Sequence, residues 1–183
     1  MILSKAFKQE KNYVKLEIWE ANMTIDRIDW HLDAITDEIS EEEHLERAGA
    51  HIGYFIEWAY KKGFAPSNPE THAVDEANKV VNSEINGVKF LIENCDTKLW
   101  EEDLNEQGQK FAKCVYGAYL ENFEAIVGHK PYTTKYNQQD LENVSKYFDK
   151  VYLDYLATPP LEFTGKNKQS FFQRLKRKIG GLV

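Results

Sequence analysis

Apolar residues recur along this chain at helical spacing, interrupted by short polar stretches. From Ile18 they fall at Ile18, Ala21, Ile25, Ile28, Leu32 and Ile35, alternately three and four apart, which is one face of a helix. Val14, Leu16 and Ile18 also alternate with Lys15 and Glu17, as a short strand would. The spacing predicts helix from Thr24 onward and leaves 13–20 open between strand and helix. The next helix has the clearest ends. Ser40 followed by Glu43 is a capping box, Glu41, Glu42 and Glu43 complement the dipole of the first turn, and Gly63 is placed to close the helix. Its stripe is Leu45, Ala48, Ile52, Phe55, Ile56 and Ala59. Gly49 and Gly53 interrupt the good helix formers, and the close approach of another element is the expected reason.

Asn68 with Pro69 predicts the start of a further helix, carrying Ala73, Ala77, Val80 and Val81. Asn86-Gly87 breaks the pattern, and a short helix with Val88, Leu91 and Ile92 runs up to Cys95. After a break at Asp96-Thr97, a long helix is predicted from Glu101 to Val127. Phe111, Val115, Tyr119, Phe123 and Val127 form one ladder and Ala112, Tyr116 and Leu120 its neighbour, a stripe wide enough for the central helix of a bundle. Leu141, Val144, Phe148, Val151, Tyr152, Tyr155 and Leu156 predict another helix, ending before Pro159-Pro160. The fold class expected is all-α, a single-domain bundle of about six helices over 1–160. A C-terminal amphipathic helix is expected over 161–183, where Ser170 and Gln173 form a second capping box and Phe172, Leu175, Ile179 and Leu182 share one side.

Charge divides the chain in the same place. Six of the 23 Lys and Arg lie after residue 165, where no Asp or Glu occurs, so 1–165 holds 17 basic against 30 acidic residues. Such a body repels nucleic acid and suits a basic partner. The acids are densest at Asp37, Glu38, Glu41, Glu42, Glu43 and Glu46. Their plain reading is a solvated face; their functional reading is a docking patch for a cationic partner, with Asp37, Glu38, Glu41, Glu42 and Glu46 as the contact residues. The basic tail can pack on the acidic body, lie on an anionic membrane, where one short helix binds weakly and reversibly, or contact a partner, in that order of preference.

Catalytic signatures are sparse. The chain contains no G-x-S-x-G, P-loop or G-x-G-x-x-G. Cys95 beside Asp96 lacks the electropositive setting of a reactive thiolate, and Cys95 and Cys114 read as small core residues. Asp29-x-His31, with His51 on the following helix and Asp26 or Glu43 nearby, offers ligand types used by zinc and iron. No H-x-x-x-H or E-x-x-H pair fixes their geometry, so buried, hydrogen-bonded histidines are the expectation, with no metal, cofactor or catalytic residue. The alternative is a metal-dependent enzyme using Asp29, His31 and His51. The amino terminus meets charge before an apolar run forms, and no stretch approaches a membrane span, so a cytoplasmic location is expected.

Several stretches resemble an uncharacterised family of small acidic bacterial proteins. They are Trp30-His31, then Ala50-His51-Ile52-Gly53-Tyr54-Phe55-Ile56-Glu57-Trp58-Ala59, then Glu93-Asn94-Cys95-Asp96-Thr97-Lys98-Leu99, and Glu102-Asp103-Leu104-Asn105 continued by Gly108 and Phe111. The resemblance covers about residues 24 to 157 and marks Trp30, His31, His51, Gly53, Trp58, Asp96 and Asp103 as the motif. Two departures stand out. Trp100 occupies a place where the family has a small hydroxyl residue, and 33–38 replaces a Gly/Pro-rich turn. In size, acidity and lack of a catalytic signature such proteins are similar to immunity proteins, which block a toxin by occluding its active site. The resemblance implies a cognate, basic toxin as partner, acting in the cytoplasm and deliverable by a type VI secretion system.

Overall fold

A computed structural model describes residues 24–66 and 72–157 of the chain. Among them are five α-helices: α1 (Glu41–Lys61), α2 (His72–Val81), α3 (Gly87–Asn94), α4 (Glu106–Val127) and α5 (Gln138–Leu156). Two short strands, β1 (Thr24–Arg27) and β2 (Lys98–Trp100), pair antiparallel with a register irregularity between Thr24 and Asp26. The fold is a mostly helical single domain, as the periodicity predicts. The expected tail helix, the segment 13–20 and the Asn68-Pro69 cap lie outside the described residues.

α1 follows its sequence signals closely. Ser40 Oγ accepts the Glu43 N–H at 3.2 Å, and Gly63 closes the end at φ +84°. The Glu43 carboxylate pairs with Arg47 at 2.6 Å instead of completing the box. Every residue from Ala48 to Tyr60 is buried, so α1, not the long helix, is the central one. One side carries an aromatic core: Trp58 stacks on Phe148 at 4.8 Å and lies 5.2 Å from Phe111, joining α1, α5 and α4. The Trp58 indole N–H donates to Asp149 at 3.0 Å, which satisfies its polar edge.

On the other side α3 crosses α1 at its glycines. A Cβ on Gly53 would lie 2.4 Å from Val88 Cγ2, and one on Gly87 would lie 2.0 Å from the Gly53 carbonyl oxygen. The glycines therefore permit backbone-to-backbone approach, the reason the sequence suggests. Asn86 caps α3, accepting the Lys89 N–H at 2.8 Å.

Two predicted elements need correction. Residues 24–35 are not an α-helix but β1 followed by 3-10 turns at Ile28–Trp30 and Leu32–Ala34. The apolar spacing is satisfied because Ile28 and Ile35 are buried, and strand pairing with β2 overrides the local preference. The long helix starts at Glu106, capped by Asn105, rather than at Glu101. Glu101–Asp103 is a separate 3-10 turn. There the Asp103 carboxylate accepts the Trp100 N–H at 2.7 Å, the reciprocal half of a capping box, while the Trp100 side chain offers no capping oxygen in return. Asp96 and Thr97 turn the chain from α3 into β2 at φ +49° and +61°.

Candidate functional site

β1, the first 3-10 turn and the middle of α1 meet at Asp26. Its carboxylate is 1% exposed and fully occupied. Oδ1 contacts His31 Nε2 at 2.8 Å and accepts the Arg27 N–H at 2.8 Å. Oδ2 contacts His51 Nε2 at 3.0 Å and accepts the Tyr116 hydroxyl at 2.8 Å. Tyr132, from the loop between α4 and α5, places its hydroxyl 2.8 Å from His31 Nδ1 and stacks on that ring. The two imidazoles meet edge to face at 4.4 Å. His51 is 1% exposed, and its Nδ1 has no partner among the described residues.

Burial favours the neutral form of Asp26, yet the hydrogen bonds and charge of His31 and His51 overcome it and hold the carboxyl well below its ordinary range. Burial pushes the His51 imidazole down, against the pull of Asp26. The Tyr132 hydroxyl is pushed up to about 12, by burial first and then by the Asp26 charge. The centre is an ionised carboxylate ringed by imidazole and phenol donors.

Asp29, the acid of the D-x-H pair, takes no part. Its carboxylate is exposed and pairs with Arg27, because the 3-10 turn points it to solvent while His31 turns inward. Asp26, the neighbouring candidate, holds that place. Glu43 is likewise diverted to Arg47. Tyr116 and Tyr132 were not legible as partners; they arrive from positions 90 and about 101 residues further on.

The acidic residues form a second feature. Asp37 pairs with Arg47 at 2.7 Å, and Glu46 lies 3.8 Å from Lys135. Glu38, Glu41 and Glu42 are exposed at the start of α1. Beside them a groove of about 300 Å³ runs between α1 and α3. Its walls carry Glu42, Glu46 and Glu93 with Lys89, over Val88 and Ile92. Trp30 stands 59% exposed nearby in sequence, under the Arg27 guanidinium at 5.6 Å.

The remaining motif residues are structural. Gly53 permits the α1–α3 crossing, Trp58 anchors the aromatic core, and Asp96 makes the turn into β2. Cys95 is buried, and burial together with Asp103 raises its thiol far from the thiolate range. No described helix is long and apolar enough to cross a membrane.

No curated protein and no solved structure matches the chain significantly. A family model described as a domain of unknown function (DUF7832) matches residues 24–138, well over half of the sequence. That range begins at β1 and includes Asp26, His31, His51, Tyr116 and Tyr132 as well as the acidic groove. The chain therefore belongs to the DUF7832 family.

Proposed function

We propose that this chain is a binding protein of the immunity type, which neutralises a cationic toxin by covering its active site. The observation that carries the reading is the groove between α1 and α3. Three carboxylates, Glu42, Glu46 and Glu93, surround the apolar side chains Val88 and Ile92 in a cleft of about 300 Å³. That combination suits a Lys or Arg side chain, whose methylenes pack on the floor while its charge meets the rim. The exposed acids at the start of α1 extend the same potential outward, which speeds encounter with a basic partner. Arg47, Lys135 and, within the groove itself, Lys89 beside Glu93 neutralise part of the patch and leave Glu38, Glu41 and Glu42 exposed at its edge. A toxin acting in the cytoplasm, including one delivered by a type VI secretion system, is the partner class the proposal names.

Co-expression with the product of the adjacent upstream gene tests it. The expected outcome is that this gene product is toxic alone, is tolerated with the wild-type chain, and remains toxic with Glu42→Lys/Glu46→Lys. A harmless neighbour, or toxicity undiminished by the wild-type chain, would falsify the proposal.

A further inference from the structure

We propose that Asp26, His31 and His51 form a binding site for one divalent transition-metal ion of the zinc class. Each residue presents one ligating atom, and the three atoms lie within 4.8 Å of one another. Tetrahedral zinc holds nitrogen and oxygen at about 2.0–2.2 Å, which sets neighbouring ligand atoms roughly 3.3 Å apart. His31 Nε2 lies 2.8 Å from Oδ1 of Asp26 and His51 Nε2 lies 3.0 Å from Oδ2, so each ring needs to draw back by only roughly 0.3–0.5 Å from the oxygen it faces for an ion to sit between the rings and the carboxylate. Two imidazoles and one carboxylate suit zinc, cobalt or iron, and do not suit the all-oxygen preferences of magnesium or calcium.

The surroundings fit the same assignment at His31 and Asp26, while His51 Nδ1 has no partner among the described residues. Metal-bound histidines hold their second ring nitrogen through an outer partner, and Tyr132 supplies one to His31 Nδ1 at 2.8 Å. Tyr116 and the Arg27 N–H orient the Asp26 carboxylate from outside. The ligands come from β1, a 3-10 turn and α1, three segments fixed by strand pairing and core packing, so the site is assembled by the fold rather than by one flexible loop. A bound cation offsets the one carboxylate enclosed here at 1% exposure. His31 and Tyr132 are only partly buried, and they form the side from which an ion enters. The site does not depend on the acidic groove or on any toxin.

Binding has a spectroscopic signature. In the metal-free chain each Nε2–H donates to Asp26. With the ion on Nε2, both rings move their proton to Nδ1, where His31 donates it to Tyr132. Chelator-stripped full-length protein titrated with Zn²⁺ and Co²⁺ is expected to bind one equivalent, with visible Co²⁺ bands and with both imidazole ¹⁵N patterns switching tautomer. Mg²⁺ is expected to do neither. His31→Gln and Asp26→Asn are expected to lower affinity at least 10-fold. Tyr132→Phe, which leaves the backbone and ring stacking in place, is expected to lower it about 10-fold. The proposal is overturned if the folded wild-type protein takes up neither ion stoichiometrically, or if His31→Gln, folded by circular dichroism, binds as tightly as wild type.

Discussion

Three single residues have effects that can be separated by sign. Gly53→Ala drives a Cβ to 2.4 Å from Val88 Cγ2 and 2.5 Å from the Val88 backbone nitrogen, where nothing flexible can yield. A loss of at least about 2 kcal/mol is expected in urea denaturation. Gly117 on α4 is exposed and would meet nothing within 4 Å, so Gly117→Ala is expected to stabilise by about 0.5–1 kcal/mol. Equal effects at the two positions would contradict the close crossing of α1 and α3. Asp103 adds a pH effect. Its carboxyl is pushed up to about 6, by burial first and despite the hydrogen bond from Trp100. The folded state therefore binds this proton more tightly than the unfolded chain does. The resulting stabilisation is complete below the unfolded value of 3.8 and is lost as pH rises through about 6. The span of the shift bounds the effect at about 3 kcal/mol. Asp103→Asn keeps an acceptor for the Trp100 N–H without an ionisable group. Its melting temperature relative to wild type should rise between pH 4 and pH 7.5; a constant difference would exclude Asp103 as the source.

At the scale of elements, Glu57 is the joint. It lies in the buried middle of α1 at 3% exposure. Oε1 pairs with Lys61 at 2.7 Å, while Oε2 accepts the Gly87 N–H of α3 at 3.3 Å and the Tyr136 hydroxyl at 2.7 Å. One carboxylate thus ties α1 to the start of α3 and to the loop before α5. Tyr136→Phe removes one of three partners and is expected to cost about 1 kcal/mol. Glu57→Ala leaves the α3 N–H and the tyrosine unpaired and opens a cavity, so about 3 kcal/mol is expected. A double-mutant cycle should show coupling between the two; strict additivity would mean the hydrogen bond contributes nothing. The same scale explains which elements the sequence reveals. α1 carries its own start and stop in Ser40 and Gly63, and the break at Asn86-Gly87 proves to be a cap. β1 is hidden because its partner is β2, more than 70 residues away, and its apolar spacing imitates a helix. The Asp–His–His cluster was visible as residue types. The choice of Asp26 over Asp29 depends on a 3-10 turn that periodicity cannot resolve, and Tyr132 is fixed only by the long-range closure of the α4–α5 loop.

For the whole molecule, the two features answer to different physics. The Asp26 cluster is enclosed and short-ranged, so bulk salt has little access to it. The acidic face acts through a long-range field, which raises the rate of encounter more than it holds the complex together. The recognition reading therefore makes a kinetic prediction. With the neighbouring gene's toxin as ligand, the association rate should fall steeply as ionic strength rises, with dissociation nearly constant. Replacing Glu42, Glu46 and Glu93 by lysine together should slow association at least about 10-fold at low salt and flatten that salt dependence. Glu106, exposed at the start of α4 and paired with Lys110, is not part of the groove lining, so Glu106→Lys serves as a control for the equal charge change of Glu42→Lys alone. If that control slows association as much as Glu42→Lys does, the effect is net charge alone and the groove is not the docking surface. If the triple leaves the rate untouched while the protein stays folded, the acids are a solvated face, and recognition lies elsewhere on the molecule.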